Sequence, residues 1–476
     1  MTNTNIDELY RTEGQEHLFQ HVSKLTSDEK DKFYQNLTNL AQRITPNALQ
    51  QAYKRSLQQL ADDDSKSSHI KTLPSTSYQS IIGNPLLAEE YYGIGLKSIQ
   101  QGEVAVILMA GGQGTRLGSS SPKGCYDINL PSHKSLFQIQ AEKIWRLQRL
   151  SNCKKVIPWY IMTSEPTRVA TESFFIQNSY FGLQKDQIFF FNQGTLPALD
   201  STGKKIFLSN PTNIVQSPDG NGGLYHAIKD NKLMDDFKKR GIKHIYMYCV
   251  DNVLSKVADP VFIGFSIKYN FLLATKAVRK RDAHESVGLI ASKDGKPCVI
   301  EYSEISNELA EERDSEGLLK LRAGNIVNHY YSIDLLEKQL NHWCENSVYH
   351  IAKKKIPYYD NVTDEYIKPE DVNGVKLEQF IFDVFPEIPL DRFGCLEVER
   401  SEEFSPLKNA PGTDNDNPET ARESYLKLGT SWLVDAGASL AKDVYVEVSN
   451  KISYQGENLE KYKDETFNKD KTLLEL

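Results

Sequence analysis

The sequence has no apolar run long enough to cross a membrane. The longest run extends only from Val104 to Ala110, far short of the roughly 20 residues that a transmembrane helix requires. The first residues, MTNTNIDELYRTEGQEH, contain no basic stretch followed by an apolar one, so we expect no secretory signal peptide. We therefore predict a cytoplasmic protein without a membrane partner.

Cysteine is also scarce. The six cysteines lie far apart, with no CxxC motif and no Cys/His pair at zinc spacing, so they do not indicate a disulfide framework or a zinc site. We interpret them as buried, reduced thiols. The ten histidines form no HExxH motif, and we assign none of them a catalytic role.

An excess of positive charge is missing as well. The formal net charge is −8, which argues against wrapping of a nucleic-acid backbone and leaves phosphate binding to a local site. One basic run, Lys276 to Arg281, is interpreted as a solvated face or as the rim of a cleft for an anionic substrate. Hydrophobic residues make up 39% of the chain, enough for a folded core.

The first segment, residues 1–100, is predicted to be a helical arm. Thr26 and Glu29 are spaced as a capping box, and the residues that follow repeat on one helical face. The stretch Asp62 to Ser68 reads as a solvated break between helices. We find no chemistry in this arm and expect it to pack on the main domain.

From Glu103 onward, short β-type runs alternate with helical patterns, which predicts an α/β fold with a central mixed, mostly parallel sheet over residues 101–390. The segments that carry this pattern are strands at Val104–Met109, Val156–Met162, His244–Val250, Ser286–Ala291 and Pro297–Tyr302, and a helix at Leu136–Leu150. After the loop Asn409–Thr420, residues 391–476 are predicted to form a small C-terminal domain containing strands such as Val444–Val448. Ligands of such sheets gather at the carboxyl ends of the strands.

The most informative segment is Leu108 to Gly124, LMAGGQGTRLGSSSPKG, directly after the first strand. Its glycines, Gly111, Gly112 and Gly114, permit positive φ and let backbone N–H groups approach an anion. Arg116 and Lys123 bracket this loop and can engage a di- or triphosphate together. The spacing fits neither a Walker loop nor a dinucleotide fingerprint, so neither an ATPase nor a dehydrogenase is favoured.

Two further segments each have two possible roles, one in ligand binding and one purely structural. Asp251, at the end of the strand His244–Val250, can bind Mg²⁺ together with phosphate oxygens, or it can cap a helix with Asn252. The glycine-rich turn Gly220–Gly223 precedes an expected helix, Leu224–Leu233; it can bring backbone against a flat ring, or it is an ordinary turn.

The glycine loop closely resembles the signature of the sugar-nucleotide pyrophosphorylases, and specifically of the eukaryotic-type UDP-N-acetylglucosamine (UDP-N-acetylhexosamine) pyrophosphorylases. The resemblance continues in the same order through the blocks Ser135–Glu142, Pro158–Thr163, Asn192–Pro197, Pro218–Tyr225, Cys249–Asn252, Glu301–Glu304, Gly324–His329, Lys376–Phe380 and Phe404–Asn409. It implies a Rossmann-like nucleotidyltransferase domain.

The resemblance also implies roles for individual residues. Catalytic roles fall to Arg116, Lys123 and Lys408. Nucleotide contacts fall to Met109, Ala110, Gly111, Gly112, Gly114, Thr115, Gln193, Gly220, Asp251 and Lys376, with the carboxamide of Gln193 suited to the uracil edge. Sugar contacts fall to Asn221, Glu301 and Asn325, and Asp251 is the expected metal ligand.

The implied reaction joins UTP and N-acetylglucosamine 1-phosphate into UDP-N-acetylglucosamine and pyrophosphate, with Mg²⁺ as cofactor and Mn²⁺ as the alternative. Its product would supply chitin, N-glycan and GPI-anchor synthesis. We expect small-molecule partners, no nucleic acid, and a monomer or weak homo-oligomer. Two alternatives stay open: a UDP-glucose-type pyrophosphorylase, and a catalytically silent scaffold of the same fold.

Overall fold

The computed structural model of the chain describes residues 3–64, 69–301 and 304–475. It divides into two compact units. The smaller unit comprises Met1–Ser68, Gln193–His226 and Trp343–Asp383, and the larger comprises His69–Asn192, Ala227–His342 and Val384–Leu476. Among the described residues, no helix combines the length and the apolar character that crossing a membrane would require.

The α-helices are α1 (Asn3–Thr12), α2 (Ser27–Arg43), α3 (Pro46–Asp64), α4 (Pro85–Gln101), α5 (Leu136–Leu150), α6 (Glu165–Gln177), α7 (Leu224–Asp230), α8 (Leu233–Arg240), α9 (Pro260–Lys268), α10 (Asn307–Glu311), α11 (Ile333–Glu345), α12 (Arg400–Glu403) and α13 (Pro418–Asp435). The helix predicted at Leu136–Leu150 is confirmed in full. The helix predicted at Leu224–Leu233 ends early, at Asp230, and a second helix starts at Leu233.

The strands of the larger unit are β1 (Ile70–Lys71), β2 (Tyr78–Ser80), β3 (Val104–Met109), β4 (Trp159–Thr163), β5 (Ile188–Asn192), β11 (His244–Cys249), β12 (Leu273–Arg279), β13 (Leu289–Lys293), β14 (Lys296–Ile300), β15 (Ala323–Ser332), β20 (Phe393–Val398), β21 (Ser439–Leu440), β22 (Val446–Val448), β23 (Thr466–Phe467) and β24 (Thr472–Leu474). Those of the smaller unit are β6 (Thr195–Pro197), β7 (Leu199–Asp200), β8 (Leu208–Asn210), β9 (Asn213–Ile214), β10 (Gln216–Pro218), β16 (His350–Lys354), β17 (Tyr358–Asp360), β18 (Glu365–Ile367) and β19 (Gly374–Glu378).

The larger unit is built on an 11-stranded sheet with the order β2-β20-β12-β15-β11-β3-β4-β5 and with β1, β13 and β14 attached at its side. Along this order, only the pairings of β15 with β11 and β12 are antiparallel; the other pairs are parallel. The prediction of an α/β fold with a central mixed, mostly parallel sheet is therefore confirmed. Every residue of β3 is buried, as expected for a strand covered on both faces.

The smaller unit combines α1, α2 and α3 with short antiparallel strands around one apolar core. The predicted capping box is confirmed: the Thr26 hydroxyl accepts from the Glu29 amide, and the Glu29 carboxylate accepts from the Thr26 amide. Phe33, Leu37 and Leu40 of α2 are buried in this core. The predicted break after Asp62 starts later, because α3 continues to Asp64; residues 65–68 lie outside the described part of the chain.

The three predicted domains, 1–100, 101–390 and 391–476, stay a prediction. The two compact units have other boundaries, because residues distant in sequence pack together in each. Helix α4, from the predicted arm, crosses α9 within the larger unit, and the two backbones meet at Gly95 and Gly264. A Cβ atom on Gly95 would lie 1.9 Å from the Pro260 carbonyl oxygen, so this crossing admits no side chain.

The crossing gives a test of the fold. We expect Gly95→Ala to lower the melting temperature of the protein, because the added methyl group would force the two helices apart. Gly93→Ala, two residues earlier on α4, is the matched control: its Cβ would meet no atom within 4 Å, and alanine favours helix. Thermal unfolding followed by circular dichroism distinguishes them, and equal melting temperatures would contradict the packing described.

Candidate active site

The carboxyl ends of β3, β4 and β11 meet at one edge of the large sheet. Met109 pairs with Cys249 on one side and with Met162 on the other. The loops that begin at Ala110, Ser164 and Asp251 therefore leave the sheet side by side. This is the edge at which the sequence predicts a ligand site.

The glycine loop after β3 is held by hydrogen bonds at its base. The Ser164 hydroxyl donates to the Gly111 carbonyl at 2.7 Å, and the Lys123 amide donates to the Gly112 carbonyl at 3.2 Å. Of the glycines in this loop, Gly118 is the one with positive φ, at 73°; Gly111, Gly112 and Gly114 do not use the positive φ that glycine permits. Space is tight at position 114, where a Cβ would lie 3.2 Å from that of Ser119.

The loop presents polar groups outward. The amides of Gly111 and Gly112 donate to no acceptor among the described residues. Thr115 and Arg116 are exposed, on a 3₁₀ turn that ends at the buried Leu117. Free N–H groups beside an exposed guanidinium suit an anion with several oxygens.

Lys123, Asp251 and Lys408 lie together at the same edge. The Lys123 Nζ is 3.8 Å from Asp251 Oδ2, and their side chains are 18% and 23% exposed. The Leu407 amide donates to the Asp251 carbonyl at 2.9 Å, which places Lys408 next to this strand end. Burial raises the pKa of the nearby Cys249 thiol; Asp251 also raises it, whereas Lys408 and Lys123 lower it.

Asn252 fastens the two backbones that carry Asp251 and Lys408. Its side-chain amide donates to the Glu403 carbonyl at 2.7 Å, and its Oδ1 accepts from the Ser405 amide at 3.0 Å. The alternative role of Asp251 and Asn252 as helix caps is wrong, because the next helix, α9, starts only at Pro260 and is capped by Asp259. Sequence reasoning missed Asn252 as a cross-link, since both acceptor and donor lie far along the chain.

One apolar cluster contains residues next to three of the predicted site positions, Arg116, Asp251 and Lys408. Its members include Leu117, Val253, Leu254 and Leu407. These side chains pack with Leu136 and Ile139 of α5 and with α13. The exposed charges are thus attached to buried anchors that share a core.

Two of the predicted sugar contacts, Glu301 and Asn325, belong to the larger unit and lie close to each other. The Asn325 amide donates to the Gly288 carbonyl at 2.8 Å, and a Cβ on Gly288 would lie 3.7 Å from the Glu301 carboxylate. Glu301 is exposed and Asn325 is buried. Because β15 runs antiparallel to β11, Asn325 lies towards the edge that carries Asp251.

The remaining four predicted positions, Gln193, Gly220, Asn221 and Lys376, belong to the smaller unit. Gly220 has φ of 87° and opens a 3₁₀ turn over Asn221–Gly223. The Asn221 carboxamide accepts from the Ile381 amide at 2.9 Å, and the Gly222 amide donates to the Gln379 carbonyl at 2.9 Å. The turn is therefore tied to the segment that follows Lys376 on β19.

The basic run was predicted to be a solvated face or the rim of a cleft. At Lys276 this prediction is wrong. That residue lies on β12 with a side chain that is 0% exposed, paired with Asp259 at 2.6 Å and with Glu403. Burial alone would lower its pKa; the two carboxylates outweigh this and raise it. A neighbouring buried lysine, Lys143, donates to the Val253 and Ser255 carbonyls. Burial lowers its pKa to about 7, against the opposing effect of the Glu403 carboxylate.

The donor set at Asp251 fits a magnesium ion. Asp251 provides one carboxylate at a strand end. Protein-bound Mg²⁺ usually has one or two carboxylate ligands and completes its coordination shell with phosphate oxygens and water. Among the described residues, no group of three or more Asp, Glu, His or Cys side chains could hold a metal without a ligand.

These features define a class. An α/β sheet that presents free amides, lysines and an arginine at its carboxyl edge is typical of a protein that binds a phosphate-bearing ligand there. The chain belongs to the UTP–glucose-1-phosphate uridylyltransferase family, whose model matches residues 47–413.

Individual relatives agree with this assignment. The chain is 63% identical to UDP-N-acetylglucosamine pyrophosphorylase of Saccharomyces cerevisiae, over 99% of this chain and 100% of that protein. It is 41% identical to UDP-N-acetylglucosamine diphosphorylase 2 of Arabidopsis thaliana, over 94% and 89%. The crystal structure of UDP-N-acetylglucosamine pyrophosphorylase from Trypanosoma brucei, in complex with inhibitor, superposes with a TM-score of 0.84 and 28% identity, over 97% of this chain and 95% of that one.

The buried pair network yields a stability prediction. We expect Lys276→Met to destabilise the larger unit by about 3–5 kcal/mol, because it would leave the buried Asp259 charged without this cation and would remove the nearer of the two lysines that pair with Glu403. Lys268→Met is the matched control, since Lys268 forms a solvent-exposed pair with Glu90, and solvent screens such pairs so that they contribute little to stability. Urea unfolding measures both; equal midpoints would refute the buried network.

Proposed function

We propose that this chain is a uridylyltransferase that forms UDP-N-acetylglucosamine and pyrophosphate from UTP and N-acetylglucosamine 1-phosphate. The observation that carries the proposal is the 63% identity over essentially the whole chain to a yeast protein of that name. The glycine loop, Arg116, Lys123, Asp251 and Lys408 at the sheet edge supply a chemistry that suits this reaction.

The reaction requires no general base. A phosphate monoester is already an anion at neutral pH, so its oxygen can attack the α-phosphorus of UTP directly. The bond from the α-phosphorus to the bridging oxygen breaks, and pyrophosphate leaves with that electron pair. The protein must therefore align two anions and stabilise charge on the leaving group. Free amides, a guanidinium and two ammonium groups do this without a nucleophilic side chain.

We assign the residues accordingly. Gly111, Gly112 and Gly114, with Met109, Ala110 and Thr115, form the cradle for the triphosphate, and Arg116 and Lys123 neutralise the departing pyrophosphate. Lys408 holds the phosphate linked to the sugar. Glu301 and Asn325 bind sugar hydroxyl and acetamido groups, since carboxylates and amides provide the donors and acceptors that a hexose requires.

In the smaller unit, we assign Gln193 and Gly220 to the uracil, Lys376 to the UTP phosphates and Asn221 to the sugar. Magnesium, with manganese as the alternative, would be held by Asp251 and by phosphate oxygens, and when bound it adds positive charge that favours the developing phosphate charge. We further infer a cytoplasmic enzyme with small-molecule substrates, acting as a monomer or weak homo-oligomer and independent of nucleic acid and membrane.

Glucose 1-phosphate is the second candidate substrate, because the matching family model is described as UTP–glucose-1-phosphate uridylyltransferase. A silent scaffold is disfavoured, since the loop glycines, Arg116, Lys123 and Asp251 are all present. Substrate comparison separates these candidates.

We expect the purified protein to release pyrophosphate from UTP and Mg²⁺ with N-acetylglucosamine 1-phosphate faster than with glucose 1-phosphate or N-acetylgalactosamine 1-phosphate. A coupled pyrophosphate assay measures the three rates. Chelation by EDTA should abolish the signal and added Mg²⁺ should restore it. A preference for glucose 1-phosphate would overturn the sugar assignment, and no release with any sugar would favour the scaffold.

We expect Arg116→Ala to lower kcat at least about a hundredfold, because one well-placed donor to developing charge is worth roughly 3–4 kcal/mol in comparable sites. Its exposed position predicts an unchanged melting temperature. Arg149→Ala is the control: Arg149 is exposed at the end of α5 and lies over the Trp145 ring, away from the site. Near-normal turnover by folded Arg116→Ala protein would reject the assignment.

A further inference from the structure

Arg43 links the helical arm to two loops of the smaller unit. It is the last residue of α2. Its Nη1 donates to the Thr195 carbonyl at 2.8 Å, and its Nη2 donates to the Asp219 carboxylate. Thr195 lies two residues after Gln193, and Asp219 directly precedes Gly220. One guanidinium thus joins the two segments that contain the proposed uracil contacts.

The guanidinium also lies against the backbone beside Gln193. A Cβ on Gly194 would be 1.5 Å from Arg43 Nη2, so the residue after Gln193 has to be glycine for the arginine to fit. The Asp219 amide donates to the Gly194 carbonyl at 3.3 Å. The planar fork of Arg43 therefore fixes a contact between two backbones that a lysine could bind at one point only.

Asp219 also contacts a third segment, the backbone at Gln379 that follows β19. The Gln379 amide donates to the Asp219 carbonyl at 2.8 Å, and the Gly222 amide donates to the Gln379 carbonyl at 2.9 Å. A Cβ on Gly223 would lie 2.0 Å from Asp219 Oδ1. The Asp219 side chain is 1% exposed and that of Arg43 is 23% exposed, so the pair joins a buried carboxylate to a partly exposed guanidinium, and removing the arginine would take a cation away from a buried charge.

We propose that Arg43 is a positioning residue that holds the uracil-binding segments, Gln193–Thr195 and Asp219–Asn221, in register for the nucleotide. The inference rests on the proposed function, since it takes the uracil contacts from there. Two of the three donor nitrogens of Arg43 are engaged by Thr195 and Asp219, so we assign the residue to positioning and not to substrate contact. Small displacements of binding groups weaken binding strongly. Loss of the clamp should act mainly on the nucleotide, because Asn221 is the one proposed sugar contact within the clamped segments.

The test measures UTP affinity directly, by isothermal titration calorimetry of the full chain with Mg²⁺ present, together with both Michaelis constants. We expect Arg43→Ala to raise the Kd for UTP about tenfold or more, because a charge-assisted contact to a buried carboxylate is lost. Arg43→Lys should recover part of the affinity. The KM for N-acetylglucosamine 1-phosphate should rise by a smaller factor than the Kd for UTP, because the other proposed sugar contacts, Glu301 and Asn325, lie outside the clamped segments.

Arg55→Ala is the matched control, because Arg55 is an exposed arginine on α3 of the same arm; it should bind UTP like the unaltered protein. If Arg43→Ala fails to fold, the pair Arg43→Met with Asp219→Asn removes both charges together, and the same loss of UTP affinity is expected.

The outcomes separate the inference from the proposed function. If the unaltered protein binds UTP and a folded Arg43 variant binds it equally well, the positioning role is overturned and the function stands. Equal increases in both Michaelis constants would also overturn it, because they indicate general loosening. If the unaltered protein does not bind UTP, the proposed function fails and this inference fails with it.

Discussion

The packing of Leu117, Val253, Leu254 and Leu407 into one apolar cluster is the constraint on which the charged edge of the large sheet depends. Arg116 and Lys408 are exposed and would sample many rotamers if their backbones were free. Each is adjacent in sequence to a leucine of the cluster. Burial of that leucine by the hydrophobic effect, which is non-directional, therefore fixes the backbone position from which the cationic side chain extends. Hydrogen bonds then fix the orientation of these backbone segments, chiefly the bonds made by the Asn252 side chain and by the Asp251 carbonyl.

Beneath this edge lie charges that the chain has removed from water. Lys276, Asp259 and Glu403 pair within the larger unit, and Glu403 also provides the carbonyl that Asn252 binds. Burying three charges costs free energy that their mutual attraction offsets only in a fixed geometry. The same geometry holds the segment leading to Lys408, so rigidity, rather than added stability, is what the network contributes to the site.

Local features of this fold could be predicted from sequence, and features that join distant segments could not. The capping box at Thr26, strand β3 and helix α5 depend on residues within a few positions of one another, and they are confirmed. The glycine loop was located by its composition, although its backbone angles were not. The contact of Lys276 with Glu403 and that of Arg43 with Asp219 join residues more than a hundred positions apart. A basic residue carries no local signal that distinguishes a buried pair from a solvated face.

The strand that carries Asn325, a proposed sugar contact, contains a strained backbone conformation. Val327 has φ of 56°, a conformation that costs a β-branched residue roughly 1–3 kcal/mol. Its amide donates to the Asn325 carboxamide at 3.0 Å, and the pairing of β15 with β12 shifts register at the same place. A regular strand would point successive side chains to opposite faces and would leave the Asn325 carboxamide without this donor. The distortion therefore orients an amide at the sheet edge, and the antiparallel pairing on both sides of β15 supplies the stability that sustains it.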